Sequence, residues 1–279
     1  MEQRIAVTGS TGTVGGRVAR DLAAEGVPLV LPARSPDRVQ HLPEAVVRQC
    51  SYGDADASVA ALAGVDVLFM VSAAEEADRV ATHRTFLDAA KAAGVRHVVY
   101  TSFLGAAPDA TFLLGRDHWA TEEYLRHSGM AWTFLRDNLY LDAVPALAED
   151  GVIRGPAGNG RLSAVAQSDV ARSAAAILRA PADHEGAAYR LTGPESFTLA
   201  EAAATISAVT PAAVRFEDQT YEEALASRAH HGAPRWQVEA WVSTYTAIAR
   251  GEMAEVSPDV ERLTGRRPLG LRDLLSARG

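Results

Sequence analysis

Three glycines in the stretch Thr8-Gly9-Ser10-Thr11-Gly12-Thr13-Val14-Gly15-Gly16 are spaced for one kind of chemistry, the cradling of a phosphate by backbone. Gly9 permits a sharp turn, Gly12 lets the main chain approach an anion, and Gly15 lets a following helix lie against the preceding strand. The open N–H groups at the start of that helix then face the anion. A second signal comes nineteen positions after Gly15, at Arg34 (34 − 15). Sites for a ribose with a free 2′-hydroxyl place an acid about 20 residues beyond the glycines. Here the chain reads Ala33-Arg34-Ser35, with no acid between Gly26 and Asp37. A guanidinium fork fits a 2′-phosphate with two bonds, and Arg38 is near enough to assist. Together the two signals predict binding of the dinucleotide NADP(H).

Residues for proton transfer are scarcer. A Tyr-x-x-x-Lys pair, in which lysine lowers the pKa of a tyrosine that protonates a nascent alkoxide, has no place in this chain. Lys91 is the only lysine, and the residue four before it is Leu87. His118 is the candidate acid, since an unperturbed imidazole titrates near pH 6.5; the alternative is a histidine near a helix start that only packs or bonds the backbone. Phe103, Trp119 and Tyr140 are candidates for stacking an aromatic substrate. His230-His231 sits in a turn beside Gly232 and Pro234, with neither cysteine nor carboxylate at ligand spacing in the sequence, so no metal is expected. Asp169 reads as a charge at a helix start rather than a base. No Gly-x-Ser-x-Gly elbow occurs to support serine hydrolysis.

The elements that must position these residues follow from the apolar pattern. Strands are predicted at Arg4–Thr8, Pro28–Ala33, Val46–Cys50, Val65–Ser72, His97–Ser102 and Ala131–Arg136. Helices are predicted at Val14–Ala24, Ala77–Ala93 and His118–His127, with Gly26 and Gly94 as stops. Continuous apolar strands alternating with helices indicate a parallel sheet covered on both faces. Beyond Asn138 the texture changes to a glycine-punctuated, turn-rich segment from Gly151 to Gly160. A helix from Ser168-Asp169 to Leu178 and a late strand at Tyr189–Thr192 follow. Leu199–Val209, Tyr221–Ala229, Trp236–Arg250 and Val260–Thr264 are helix-like. The reading is an α/β Rossmann doubly wound sheet over residues 1–150. Residues 151–279 form a smaller, mostly helical region that completes the sheet and covers a substrate cleft.

Composition narrows the classes. The chain has 279 residues, 48% of them apolar, enough for a large core. Acids outnumber lysine plus arginine by 35 to 27, and no basic cluster occurs, so no nucleic-acid contact is expected. Cys50 is the sole cysteine, which rules out an internal disulfide and suggests a reducing, cytoplasmic setting. No basic, apolar and small-residue succession opens the chain, so no signal peptide is expected. The apolar runs fall far short of the roughly 18 residues of a membrane span.

The glycine spacing GxxGxxG resembles that of atypical short-chain dehydrogenases/reductases. Further stretches resemble the NmrA-like family, and within it QorB-type quinone oxidoreductases and triphenylmethane reductase. They are Ala92–Ser102, Asp117–Glu122, Trp132–Arg136, Tyr189–Gly193, Phe197–Glu201 and Arg262–Arg266, so the likeness spans nearly the whole chain. The resemblance implies cofactor contacts from Gly9, Thr11, Gly12, Thr13, Val14, Arg34, Val71 and Ser72. It also implies that Thr101, Ser102 and Arg136 flank the nicotinamide. There are two departures. Ser51-Tyr52 stands where relatives often carry Asp-Tyr. Leu135-Arg136-Asp137-Asn138 stands where close relatives read Leu-Arg-Asn, so the amide has either moved one position or been replaced by a carboxylate; Asn138 is a candidate substrate contact. The implied function is NADPH-dependent hydride transfer to a quinone-like or other conjugated aromatic acceptor, including the tailoring of an aromatic natural product. A non-enzymatic NADP-binding regulator of the NmrA type is the alternative. A small aromatic substrate is the expected partner, and the expected assembly is a monomer or homodimer.

Overall fold

The computed structural model describes residues 3–277. In chain order they form β1 (Ile5–Val7), α1 (Thr13–Ala24), β2 (Leu29–Ala33), β3 (Ala45–Gln49), α2 (Ala55–Leu62), β4 (Val67–Met70), α3 (Arg79–Ala92), β5 (His97–Phe103), α4 (Leu113–Arg126) and β6 (Ala131–Asp137). Next come β7 (Ala148–Glu149), β8 (Val152–Gly155), β9 (Arg161–Leu162), α5 (Gln167–Arg179), β10 (Ala187–Leu191), β11 (Phe197–Thr198) and α6 (Leu199–Val209). The chain ends with β12 (Arg215–Asp218), α7 (Tyr221–Ser227), α8 (Arg235–Ala249), α9 (Asp259–Thr264) and α10 (Leu271–Ser276).

Seven strands form one sheet in the order β10-β6-β5-β4-β1-β2-β3. Strand β1 pairs in parallel with β2 and β4, β2 with β3, and β4 with β5. The chain winds outward from β1 to β3, returns beside β1, and winds the other way through β4, β5 and β6. This is the doubly wound order of a Rossmann fold. β1, β2, β4 and β5 are buried along their whole length, which is why they read as continuous apolar runs rather than alternations. No helix among the described residues is long and apolar enough to cross a membrane.

The chain divides into two compact units. One comprises Met1–Ser102, His118–Arg136 and Val170–Tyr189, with Phe86, Tyr100, Leu125 and Phe134 wholly buried in its core. The other comprises Phe103–Asp117, Asp137–Asp169 and Arg190–Gly279, with a core around Leu141, Ile153, Leu199 and Ile248. Two small sheets, β12-β8-β7 and β11-β9, accompany its helices.

Several elements differ from the sequence reading. Helix α2 was unforeseen, although Asp54 caps it by accepting the Ala57 N–H at 3.0 Å. Helix α4 starts at Leu113 rather than at His118, because the hydroxyl of Ser243, distant in sequence, accepts the Leu113 N–H at 3.0 Å. The glycine-rich stretch hides β8, which pairs antiparallel with β7 and parallel with the equally unforeseen β12. Helix α10 was also missed.

Candidate functional site

The carboxyl ends of four neighbouring strands enclose a cavity of about 320 Å³. Thr8–Thr11 follow β1, Pro32–Arg34 end β2, Cys50–Gly53 follow β3, and Val71–Ala74 follow β4. The order of the sheet reverses between β1 and β4, and in open parallel sheets such a switch point opens a crevice outside the strand ends.

Its floor is the glycine turn. Gly9 has φ +64°, the left-handed region, and a Cβ there would sit 3.1 Å from the Val71 Cβ. The Gly12 N–H donates to the Gly9 carbonyl at 2.8 Å, closing the turn, and the Gly16 N–H donates to the Gly12 carbonyl at 3.1 Å, starting α1. Gly15 tolerates least, since a Cβ there would lie 2.3 Å from the Thr8 carbonyl oxygen. The Thr8 hydroxyl knits three strand ends together. It donates to the Phe69 carbonyl at 3.2 Å, accepts the Val71 N–H at 2.9 Å, and accepts from the Tyr52 hydroxyl at 2.6 Å. Tyr52 also reaches the Val71 carbonyl at 2.7 Å and stacks on Phe86 at a centroid distance of 4.0 Å. Burial holds its phenol well above the usual range, so it stays neutral.

Three observations show that an anionic dinucleotide fits this cavity. Helix α1 has no side-chain cap and no acid in its first turn, leaving its N-terminal N–H groups and positive dipole end to a ligand. The Ser10 hydroxyl is buried in the turn without a hydrogen-bond partner. Arg34 stands exposed at the rim and enters no ion pair among the described residues.

The loop after β4 is held from behind by two buried histidines. The Ser72 N–H donates to the Thr101 hydroxyl at 2.8 Å, and the Ala73 N–H to His83 Nε2 at 2.9 Å. That second bond fixes the His83 tautomer, so Nδ1–H donates to the Thr121 hydroxyl at 2.9 Å. Arg79 donates through Nε to the Ala73 carbonyl and through a terminal nitrogen to His118 Nε2 at 3.2 Å. A guanidinium only donates, so His118 carries its proton on Nδ1, 3.0 Å from the Tyr100 hydroxyl. Burial, and then the charge of Arg79, push His83 down to about 3. The same causes hold His118 well below the usual range. Both shifts favour the neutral rings.

A second buried cluster centres on Glu122, which is fully enclosed. Arg136 grips its carboxylate through two nitrogens, Arg126 adds an i,i+4 bond at 2.9 Å, and the Ser102 hydroxyl donates at 2.6 Å.

A family model described as NAD(P)H-binding matches residues 9–181. The chain belongs to that family. An NmrA-like family domain-containing oxidoreductase of Aspergillus flavus is 26% identical to it, over 97% of this chain and 93% of that one. The chain is 33% identical to quinone oxidoreductase 2 of Escherichia coli, over 98% of this chain and 97% of that one. It is 37% identical to a (4-alkanoyl-5-oxo-2,5-dihydrofuran-3-yl)methyl phosphate reductase of Streptomyces griseus, over 96% and 95%. It is 33% identical to an NAD(P)H azoreductase of Xenophilus azovorans, over 94% and 93%. Among solved structures, the NADPH-dependent quinone oxidoreductase of Escherichia coli complexed with NADPH superposes with a TM-score of 0.88 at 31% identity, covering 98% and 99% of the two chains.

Of the family residues expected from the sequence, Gly9, Thr11, Arg34, Val71 and Ser72 line the one cavity. Gly12, Thr13 and Val14 form the turn and the start of α1 beside it. Thr101 acts one step back, through its bond to the Ser72 N–H. Ser102 and Arg136 are engaged with Glu122 instead of lining this cavity. Asn138 is wholly buried: its amide donates to Ser163 and to the Met253 carbonyl, and its oxygen accepts the Leu139 N–H. Phe103 packs on Phe112 at 4.6 Å inside the core, and Trp119 is half-buried on α4. Tyr140, bonded to Asp137 at 2.8 Å, lines a different cavity, of about 530 Å³, in the second unit. Sequence reasoning did not name Ser10, Tyr52, Glu76 or Thr82 as wall residues. Tyr52 was within reach, since it stands two positions past the predicted end of the third strand, where a parallel sheet must deliver its loop to the switch point.

Proposed function

We propose that this NAD(P)H-dependent oxidoreductase uses NADPH to reduce quinone-like and other conjugated acceptors. The observation that carries the cofactor preference is the exposed guanidinium of Arg34 at the end of β2, where no acid is present to take a 2′-hydroxyl. The Gly9–Gly12 turn and the first N–H groups of α1 would hold the pyrophosphate. Val71 and Ser72, braced by Thr8 and Thr101, would hold the segment beyond it. When bound, NADPH supplies a hydride from its nicotinamide ring.

The acceptor class follows from what the chain's own residues do with protons. The only lysine, Lys91, lies in α3 and has no tyrosine four residues before it. His118 is not an open acid. Its Nε2 receives Arg79 and its Nδ1–H faces Tyr100, in a site that burial keeps neutral. We therefore assign His118 to bracing the loop after β4 and leave the proton to solvent. An alkoxide with charge on one oxygen needs a positioned donor, whereas a quinone spreads its charge through a ring and does not. The Escherichia coli and Xenophilus relatives, named for quinone and azo reduction, support an acceptor of that kind.

The test is NADPH consumption by the native protein with a benzoquinone, a naphthoquinone, an azo dye and a simple ketone. Turnover with the conjugated acceptors and none with the ketone is expected. Ketone turnover at the quinone rate would overturn the reading.

A further inference from the structure

His230 and His231 stand on the 3-10 turn Ala229–His231, which closes at Gly232 in the left-handed conformation (φ +64°). Glu149, 81 positions before His230 (230 − 149), ends β7 and enters the two-residue hairpin to β8. The central residues of that hairpin, Asp150 (φ 50°) and Gly151 (φ 76°), both have positive φ, as a type I′ turn demands. A Cβ on Gly151 would lie 2.7 Å from the Ala213 carbonyl oxygen, so only glycine fits and the place of Glu149 is fixed. The fold thus supplies the carboxylate that the sequence spacing around the histidine pair lacked.

The donor atoms converge. His231 Nε2 lies 3.3 Å and His230 Nε2 3.9 Å from the Glu149 carboxylate, and one ligand atom of each residue lies within 4.8 Å of the others. His230 Nδ1 stands 2.8 Å from the Ser227 carbonyl. A carbonyl only accepts, so Nδ1 is the donor and Nε2 is the nitrogen left to face a metal, the outer-shell bond that orients a ligand histidine. The His231 ring meets Trp241 edge to face at 5.7 Å, which restricts its rotation. The nearby guanidiniums are occupied elsewhere. Arg154 pairs with Glu217, while Arg228 donates to the Arg154 carbonyl and lies over the Tyr245 ring.

We propose that Glu149, His230 and His231 form a binding site for a borderline divalent ion such as Zn²⁺. Two imidazole nitrogens and one carboxylate oxygen make the donor set of open three-ligand zinc sites, and they favour Zn²⁺ and Ni²⁺ over Mg²⁺ and Ca²⁺. Bonds of about 2.1 Å in a tetrahedron space the donors roughly 3.4 Å apart, so small side-chain rotations on this exposed rim complete the set. The fourth position stays open. Glu149 and His230 also line the cavity of about 530 Å³ with Tyr140, Trp241 and Tyr245, so that position is available to an oxygen or nitrogen of a small molecule held there.

The test is a Co²⁺ titration of the full chain followed by ligand-field absorption, with Zn²⁺ as competitor. Saturation at one equivalent, displacement by Zn²⁺, and affinity at least tenfold weaker in both His231→Ala and Glu149→Gln are expected. The exposed His41→Ala serves as control and should bind as the native protein does. A spectrum that never saturates, or variants that bind like the native chain, would reduce the cluster to an ordinary surface ion pair.

Discussion

Two cavities of this chain are built by opposite means. The one at the strand ends is shaped by backbone: a glycine turn, an uncapped helix start and the loops that a parallel sheet delivers to its switch point. The one in the second unit is walled by side chains from three segments far apart in sequence, Leu139–Arg154, Gln219–His230 and Trp241–Ile248. A backbone site recurs wherever the fold recurs, because it depends on spacing alone. A side-chain site is rewritten by each substitution. Cofactor chemistry is therefore expected to rest on the first region and individuality on the second.

The largest expected effect separates shape from charge in the first cavity. Gly15→Ala places a Cβ 2.3 Å from a backbone oxygen that cannot move without dragging β1. It should cost about 3 kcal/mol or more, at the upper end of overpacking penalties, and weaken NADPH binding with it. Chemical denaturation of that variant at native stability would break the claim that close helix–strand packing shapes the site.

A slightly smaller effect tests Asn138, whose amide groups are fully engaged by Ser163, Met253 and Leu139. Asn138→Ala strands buried groups and should cost about 2–3 kcal/mol of stability, with KM for the acceptor nearly unchanged in the folded fraction. A raised KM at native stability would restore Asn138 to the substrate contacts.

These residues also show how far the sequence was legible. The parallel doubly wound sheet and the phosphate turn follow from local patterns of apolar runs and glycines, and the structure contains them. Helix α4 did not yield its start, because a hydroxyl on α8 caps it and no local signal marks Leu113. Strands β8 and β12 escaped because four residues apiece, the first bounded by glycine and the second mostly charged, carry no periodicity. The Asp150-Gly151 pair was a hairpin signal left unread. His118 was open to either reading in sequence; its burial beside Arg79 and Tyr100 is what supports the bracing role proposed above. Glu149 joins His230 and His231 by tertiary folding alone, which no spacing rule reveals.

A third effect is carried by pH. His83 is held near 3 in the folded chain against an ordinary 6.5, and His118 is also held low. Below about pH 6.5 the unfolded chain takes up protons that the folded chain refuses, so stability should fall with pH from there toward about 3. His83 contributes up to about 1.4 kcal/mol per pH unit within that window, and His118 adds to the slope in the same direction. Denaturation midpoints of the native protein and His83→Gln across this range should show a shallower acid slope in the variant. Equal slopes would mean that His83 is protonated in the folded state.

The smallest effect on activity is expected at His118. His118→Gln keeps an acceptor for Arg79, and turnover per folded molecule should stay within about threefold of native, whereas loss of a positioned acid costs about 10²–10⁴-fold. A loss of that size, without a matching loss of stability, would return His118 to the chemistry.

The central claim is that the strand-end cavity selects NADP(H) through Arg34, and equilibrium titration of NADPH and NADH against the native chain and Arg34→Ala tests it most directly. Removing the charged contact should cost NADPH about 1.5–3 kcal/mol, tenfold to a hundredfold in affinity, and leave NADH as it was. Native-like binding of NADPH by the variant, or an equal loss for both cofactors, would contradict the account.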